Sequence, residues 1–312
     1  MTNAVGTKMI PDILKEIPSS TTWTTAEKIE KGWSAEQKFC AVDTHGNRFL
    51  IRLADAAKAD AKKREFEIMQ KVAAMGIPMS IPLDFGICEK GQHVYSLFSW
   101  VDGTALDEVI DSLSATEQYD LGRSAGVLLK KMHSLPSPPD QENWEQRLSR
   151  KIRNHIERYQ NCGIRVPQDE KALKFISDNI GLLRNRPQCF QHGDFHIGNL
   201  ILSADHTLQV IDFNRWDYGD PWEEFYKMCI FSREKSIPFA VGQLHGYFGN
   251  TVPNQFFELL TLYLADVILF CIVWAMPFGN QEVQGMITRA NMIMADLNNF
   301  QKTIPSWFKP EE

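Results

Sequence analysis

The chain has 312 residues, of which 44% are hydrophobic and 23% charged, and this excludes the disordered, collagen-like and disulfide-scaffold classes. Its 33 basic and 39 acidic side chains leave a net charge of -6, which argues against a nucleic-acid footprint. The length predicts two domains, or one large unit of two lobes. Cys40, Cys88, Cys162, Cys189, Cys229 and Cys271 form no C-x-x-C pair, so neither a zinc cluster nor a disulfide framework is signalled. Residues 1–18 lack the apolar run of a secretory signal, and a cytoplasmic location is expected.

Residues 38–42 and 48–53 are short β-rich runs separated by Asp43-Thr44-His45-Gly46-Asn47, the turn chemistry of an antiparallel hairpin. Over 57–75 the apolar Phe66, Met69, Val72 and Ala73 recur at spacings of three and four and the run ends at Gly76 and Pro78, which predicts a helix. Residues 94–101 return to strand. A small α+β lobe over 1–100 is therefore expected, with a mostly helical lobe over 104–312. In that lobe 114–133 opens on a Ser-Ala-Thr-Glu capping box, and 144–162 and 168–183 share its helical period. The apolar run 259–278 has nearly the length of a membrane span but contains Asp266 and ends near Pro277; with no second span or basic flank it reads as a buried core helix. Two short strands, 200–202 and 208–213, follow a loop at 192–199.

That loop, His192-Gly193-Asp194-Phe195-His196-Ile197-Gly198-Asn199, together with Ile211-Asp212-Phe213, carries the strongest chemical signal. Phosphoryl transfer needs a carboxylate to orient and deprotonate an acceptor hydroxyl, an amide oxygen for a metal, and a second carboxylate bridging metal and phosphates. Asp194, Asn199 and Asp212 supply those three groups. Asp194 as a turn cap and Asp212 as a strand end is the structural alternative, against which the two motifs occurring together argue.

On these motifs the sequence, from about 29 to about 300, resembles the aminoglycoside phosphotransferase family, which shares the protein-kinase-like fold with choline kinases. The resemblance implies an α+β fold with a β-rich N-lobe and a large helical C-lobe joined by a hinge at 98–103. It implies Asp194 as catalytic base and Asn199 and Asp212 as Mg2+ ligands, five and eighteen residues further on. His192 and His196 take loop-organising roles. The segment before the hairpin, with Gly32 and Ser34, resembles the loop covering the nucleotide. Arg52 stands where relatives carry a lysine for the α and β phosphates, with Glu65 thirteen residues on as its partner; a surface ion pair is the other reading. Lys62, Lys63 and Arg64 read as a solvated helix face. By resemblance the Ser99 carbonyl and Val101 amide hold the purine of ATP or GTP, with Phe98 beside it, while Trp100 reads equally as core.

Asp217 and Asp220, in the segment after the metal aspartate, are expected to brace the catalytic loop. The acidic surplus lies in 101–312, with 27 acidic against 20 basic side chains. This favours an aminoglycoside-like, cationic acceptor held by Glu223, Glu224 and Asp266, the last of which reads equally as a buried structural acid. The expected partners are thus a nucleoside triphosphate and a small-molecule hydroxyl, with no nucleic acid and no membrane. A kinase of another metabolite or of a macrolide, and a nucleotide-binding pseudoenzyme, are the alternatives.

Overall fold

The computed structural model describes residues 10–30 and 36–309. The chain divides into two compact units, Met1–Gly103 with Ile201–Asn214, and Thr104–Leu200 with Arg215–Glu312. Gly32 and Ser34 lie outside the described residues.

The first unit is built on an antiparallel sheet of β1 (Trp23–Ile29), β2 (Gln37–Asp43), β3 (Arg48–Asp55), β4 (Pro82–Cys88) and β5 (His93–Ser99), in spatial order β1-β2-β3-β5-β4. The expected hairpin joins β2 to β3. Its turn is fixed by Asp43, whose Oδ1 accepts the His45 and Asn47 amides at 2.8 Å each. Side chains alternate across a strand. Ile51 and Leu53 of β3 therefore enter a core with Leu14, Ile17, Trp23 and Leu97, while Arg52 between them faces the other way. Helix α1 (Ala59–Ala74) buries Phe66, Met69 and Val72, with the Phe66 ring 6.0 Å from that of Phe98. The segment 201–214, which the sequence reading leaves in the second lobe, groups with this unit. The Val210 amide donates to the Pro78 carbonyl at 2.8 Å, and Gly103 passes so close to the Leu202 carbonyl that no Cβ fits there. This pairing delivers Asp212 to the first unit.

The second unit is helical, with α2 (Ala115–Met132), α3 (Trp144–Asn161), α4 (Asp169–Asn179), α5 (Ile237–Phe248), α6 (Asn254–Ala275) and α7 (Asn280–Asp296). The capping box closes as expected, Ser114 and Glu117 satisfying one another's backbone donors. Helices α2 and α5 cross in close backbone contact at Gly122 and Gly126 on one and Gly242 and Gly246 on the other, where a Cβ would strike the facing carbonyl. The apolar α6 is long and apolar enough to cross a membrane by length and composition, yet it is buried along most of its length in the unit's core, against α3, α4 and α7. Each fully buried Leu or Ile on it stabilises the unit by roughly 1.5–3 kcal/mol. The described cysteines are all unpaired.

Candidate active site

In the first unit, Arg52 is 6% exposed and Glu65 is 6% exposed. Arg52 donates from Nε to Glu36 at 2.7 Å and from Nη1 to Glu65 at 3.0 Å. Lys62 closes the ring, with Nζ 2.5 Å from Glu65 and bonded to Glu36. Lys62 is thus part of a buried cluster of four charges, contrary to its reading as solvated; only Lys63 and Arg64 face water. One helical turn separates Lys62 from Glu65, so α1 presents both to Arg52. Burial works against the Arg52 charge, but Glu65, Glu36 and Asp212 outweigh it and raise its pKa. Asp212 itself adopts a left-handed φ of +65°, which costs a non-glycine residue on the order of 1 kcal/mol and concentrates at functional positions.

At 98–103, Phe98 is buried against α1. The Ser99 carbonyl accepts from the Ser80 hydroxyl at 2.6 Å, and Trp100 lies under the Arg48 guanidinium at 5.4 Å. Val101 is half-buried.

In the second unit the loop 192–199 leaves a short strand, Cys189–Gln191, paired with Asp217–Gly219. Gly193 takes φ +78° with its α-carbon against the Arg215 carbonyl, where any side chain would collide. The loop amides are gathered by one carboxylate: Glu224 accepts from the Gly193 amide at 2.5 Å and the His192 amide at 3.1 Å. Its Oε2 also lies 3.0 Å from His133 Nε2. Glu224 is 2% exposed, so it braces the loop from inside. The roles expected for neighbouring acids are thereby redistributed. Asp217 pairs with Arg147 at 3.0 Å, and Asp220 is enclosed by Arg186 and Tyr263. Asp266 faces His155 at 2.9 Å within the core.

Asp194 stands at the centre of this loop. Its Oδ1 receives Lys227 Nζ at 2.7 Å, and Arg215 Nε lies 3.8 Å from Oδ2. His196 Nε2 is 3.8 Å from Oδ1. Burial raises the Asp194 pKa, but Lys227 above all, with His196 and Arg215, pulls it down to about 2. His196 is driven to about 4 by burial, against the pull of Asp194, and is neutral at pH 7. Its Nδ1 accepts the Gly198 amide at 3.1 Å, which organises the turn. Asn199 donates from Nδ2 to the Asp194 carbonyl at 2.9 Å, a bond that does not use its amide oxygen. The amide oxygen of Asn199 in this unit and the carboxylate of Asp212 in the first are each a hard oxygen donor of the kind Mg2+ accepts.

Lys227 escaped sequence reading because its partner is 33 positions away. The available signal was a lone cation in the apolar run Phe225-Tyr226-Lys227-Met228-Cys229-Ile230, since a buried ammonium requires a carboxylate. The ion pair has a pH signature. The Asp194 pKa falls below its ordinary 3.8 to about 2 in the fold, so the stabilisation is complete above 3.8 and lost as pH falls toward 2. In urea unfolding, the stability gap between the wild type and Lys227→Met is expected to shrink from pH 5 to pH 3; a gap constant over that range refutes the pairing.

Beside the loop, a cavity of about 270 Å³ lies within the second unit, reached by Gly193, Arg215, Tyr226, Trp144 and Glu223 among others. Glu223, alone of the three acids expected to meet the acceptor, lines it; burial raises its pKa.

Residues 25–256 match the family model described as the phosphotransferase enzyme family. The structure has a protein-kinase-like fold. It is similar to aminoglycoside 2'-phosphotransferase-IIIa in its GDP complex, with a TM-score of 0.66 at 12% identity over 89% of this chain and 95% of that one. It is also similar to a choline/ethanolamine kinase family protein from Mesorhizobium loti, with a TM-score of 0.65 at 14% identity over 90% and 92%. The gentamicin complex of APH(2")-IIa gives 0.63 at 16% over 93% and 97%. In sequence the chain is 23% identical over 222 residues to acyl-CoA dehydrogenase family member 10 of Mus musculus, a match spanning 62% of this chain and 20% of that protein. The chain belongs to the phosphotransferase enzyme family, and it spans about a fifth of the length of the curated relative it matches.

Proposed function

We propose that the protein transfers the γ-phosphoryl group of ATP or GTP, as its Mg2+ complex, to a hydroxyl of a small molecule. The observation that carries this reading is Asp194, ionised and held at a fixed place by Lys227 on a loop braced through Glu224. The acceptor hydroxyl hydrogen-bonds to the Asp194 carboxylate. Its oxygen bonds to the γ-phosphorus as the bond to the β-γ bridging oxygen breaks, its proton passes to Asp194, and the nucleoside diphosphate leaves. A carboxylate of low pKa suits this step, because a loose transition state demands little deprotonation before bond formation and catalysis is mainly positioning. In this reading Asn199 and Asp212 would supply oxygen ligands to Mg2+, which would neutralise phosphate charge, and Arg52 would meet the α and β phosphates. The Ser99 carbonyl and Val101 amide hold the base, beside Phe98.

For the acceptor, an aminoglycoside-like polyamine is supported by the acidic surplus in 101–312 and by the gentamicin held by one structural neighbour. A kinase of another small metabolite is the second reading. It is favoured by the commitment of Glu224 and Asp266 to His133 and His155, which leaves neither free for an ammonium. The test is turnover of Mg-ATP and Mg-GTP across charged and neutral alcohols; nucleotide binding without turnover on any acceptor supports a pseudoenzyme instead. Asp212→Asn removes a ligand charge and is expected to raise the Mg2+ concentration needed for half-maximal turnover by about 10-fold or more, with Asn199→Ala milder. An Mg2+ dependence unmoved by Asp212→Asn removes Asp212 from the metal.

A further inference from the structure

The cavity beside the catalytic loop has a charge pattern that a polyamine does not fit. A bound ammonium needs an uncommitted carboxylate, and each acid in reach has a partner. Asp194 carries Lys227 at 2.7 Å. Asp217 accepts two bonds from Arg147, at 3.0 and 3.2 Å. Glu223 accepts from Gln191 Nε2 at 3.0 Å. The cations are in the opposite condition. Lys151 lines the cavity and forms no ion pair with a described residue, although its field reaches Glu223. Arg215 lines it with a half-exposed side chain, its guanidinium 5.8 Å from the Trp274 ring centre and its Nε 3.8 Å from an Asp194 carboxylate already taken by Lys227. Arg147, Lys151 and Arg215 against Asp217 and Glu223 leave one positive charge in the lining when both acids are ionised.

We infer that the acceptor alcohol carries a carboxylate, received by Lys151 and Arg215 in this cavity while its hydroxyl lies against Asp194. The inference rests on the phosphotransferase reading of Asp194 and deepens it by naming the substrate class. A planar carboxylate matches the donor fork of Arg215. Its single charge matches the surplus in the lining, whereas a phosphate monoester brings nearly two. Trp144, Leu148 and Tyr226 in the lining suit an apolar body between the two polar ends.

The test is calorimetric titration of the full chain, without nucleotide, with three alcohols on one ring: 3-(hydroxymethyl)benzoate, 3-(hydroxymethyl)benzylamine and 3-(hydroxymethyl)phenyl phosphate. The benzoate is expected to bind at least about 10-fold tighter than the amine, the size of one charge-assisted contact. Lys151→Gln and Arg215→Gln are each expected to weaken the benzoate by about 10-fold and leave the amine within about 3-fold. Thermal melting verifies that each variant is folded. An amine binding as well as the benzoate, a phosphate binding tighter than either, or a benzoate preference that survives both substitutions overturns the inference. Because binding is read without nucleotide, that failure is separate from failure of the phosphotransferase reading, which Mg-nucleotide turnover decides.

Discussion

Asp194→Ala is expected to lower kcat by about 100-fold or more on the best acceptor, the effect of removing a positioned group that orients and deprotonates the hydroxyl. Mg-nucleotide affinity is expected to stay within about 2-fold, because the carboxylate acts on the acceptor and lies with Lys227 rather than with a phosphate ligand. The substitution also leaves the Lys227 ammonium, 8% exposed at its side chain, without its nearest carboxylate. Lost stability must therefore be separated from lost chemistry. Asp194→Asn keeps the shape and a hydrogen-bond acceptor, and turnover measured on protein shown by circular dichroism to be folded isolates the carboxylate. Near-wild-type kcat in folded Asp194→Asn and Asp194→Ala removes Asp194 from the reaction.

What the sequence revealed follows the range of the interactions involved. The hairpin at Asp43, the capping box at Ser114 and the periodicity of α1 and α6 are set within a few residues, so local chemistry exposes them. The H-G-D-x-H-x-x-N spacing of 192–199 is local too, and the family model matched over 25–256 spans it. Less visible was the choice of partner among acids close together in sequence. Asp217, Asp220, Glu223 and Glu224 look alike on the page, yet the turn at 221–224 aims Glu224 inward to His133 and the loop amides while Asp217, on the strand Asp217–Gly219, meets Arg147 from α3. Lys62 and Arg64 differ by two positions and, at about 100° per residue, by nearly opposite faces of α1; only Lys62 meets Glu36 and Arg52's partner Glu65. Such assignments depend on contacts distant in sequence, which neither composition nor period encodes.

Asp220→Ala is expected to destabilise the second unit by about 3–5 kcal/mol, the penalty for leaving a buried charge unpaired. Asp220 is fully buried and accepts from Arg186 Nε at 2.5 Å and Nη2 at 3.1 Å, from the Tyr263 hydroxyl at 2.7 Å and from the Trp222 amide at 2.9 Å. Tyr263 in turn accepts from Trp144 Nε1 at 3.1 Å, and the Arg186 guanidinium lies over the Trp222 ring at 4.1 Å. One carboxylate thus ties the segment 217–224 to α6 and α3, and alanine strands a guanidinium, a phenol and an amide at once. Thermal melting is expected to fall by roughly 10 °C. Asp220→Asn, which keeps the acceptor but not the charge, is expected to fall less. Adding Arg186→Met to Asp220→Ala removes the stranded cation and is expected to recover at least about 1 kcal/mol, a coupling that only a direct charge pair produces. An Asp220→Ala melting point within about 2 °C of wild type, or a double variant no more stable than Asp220→Ala, shows that this carboxylate does not hold the segment in place.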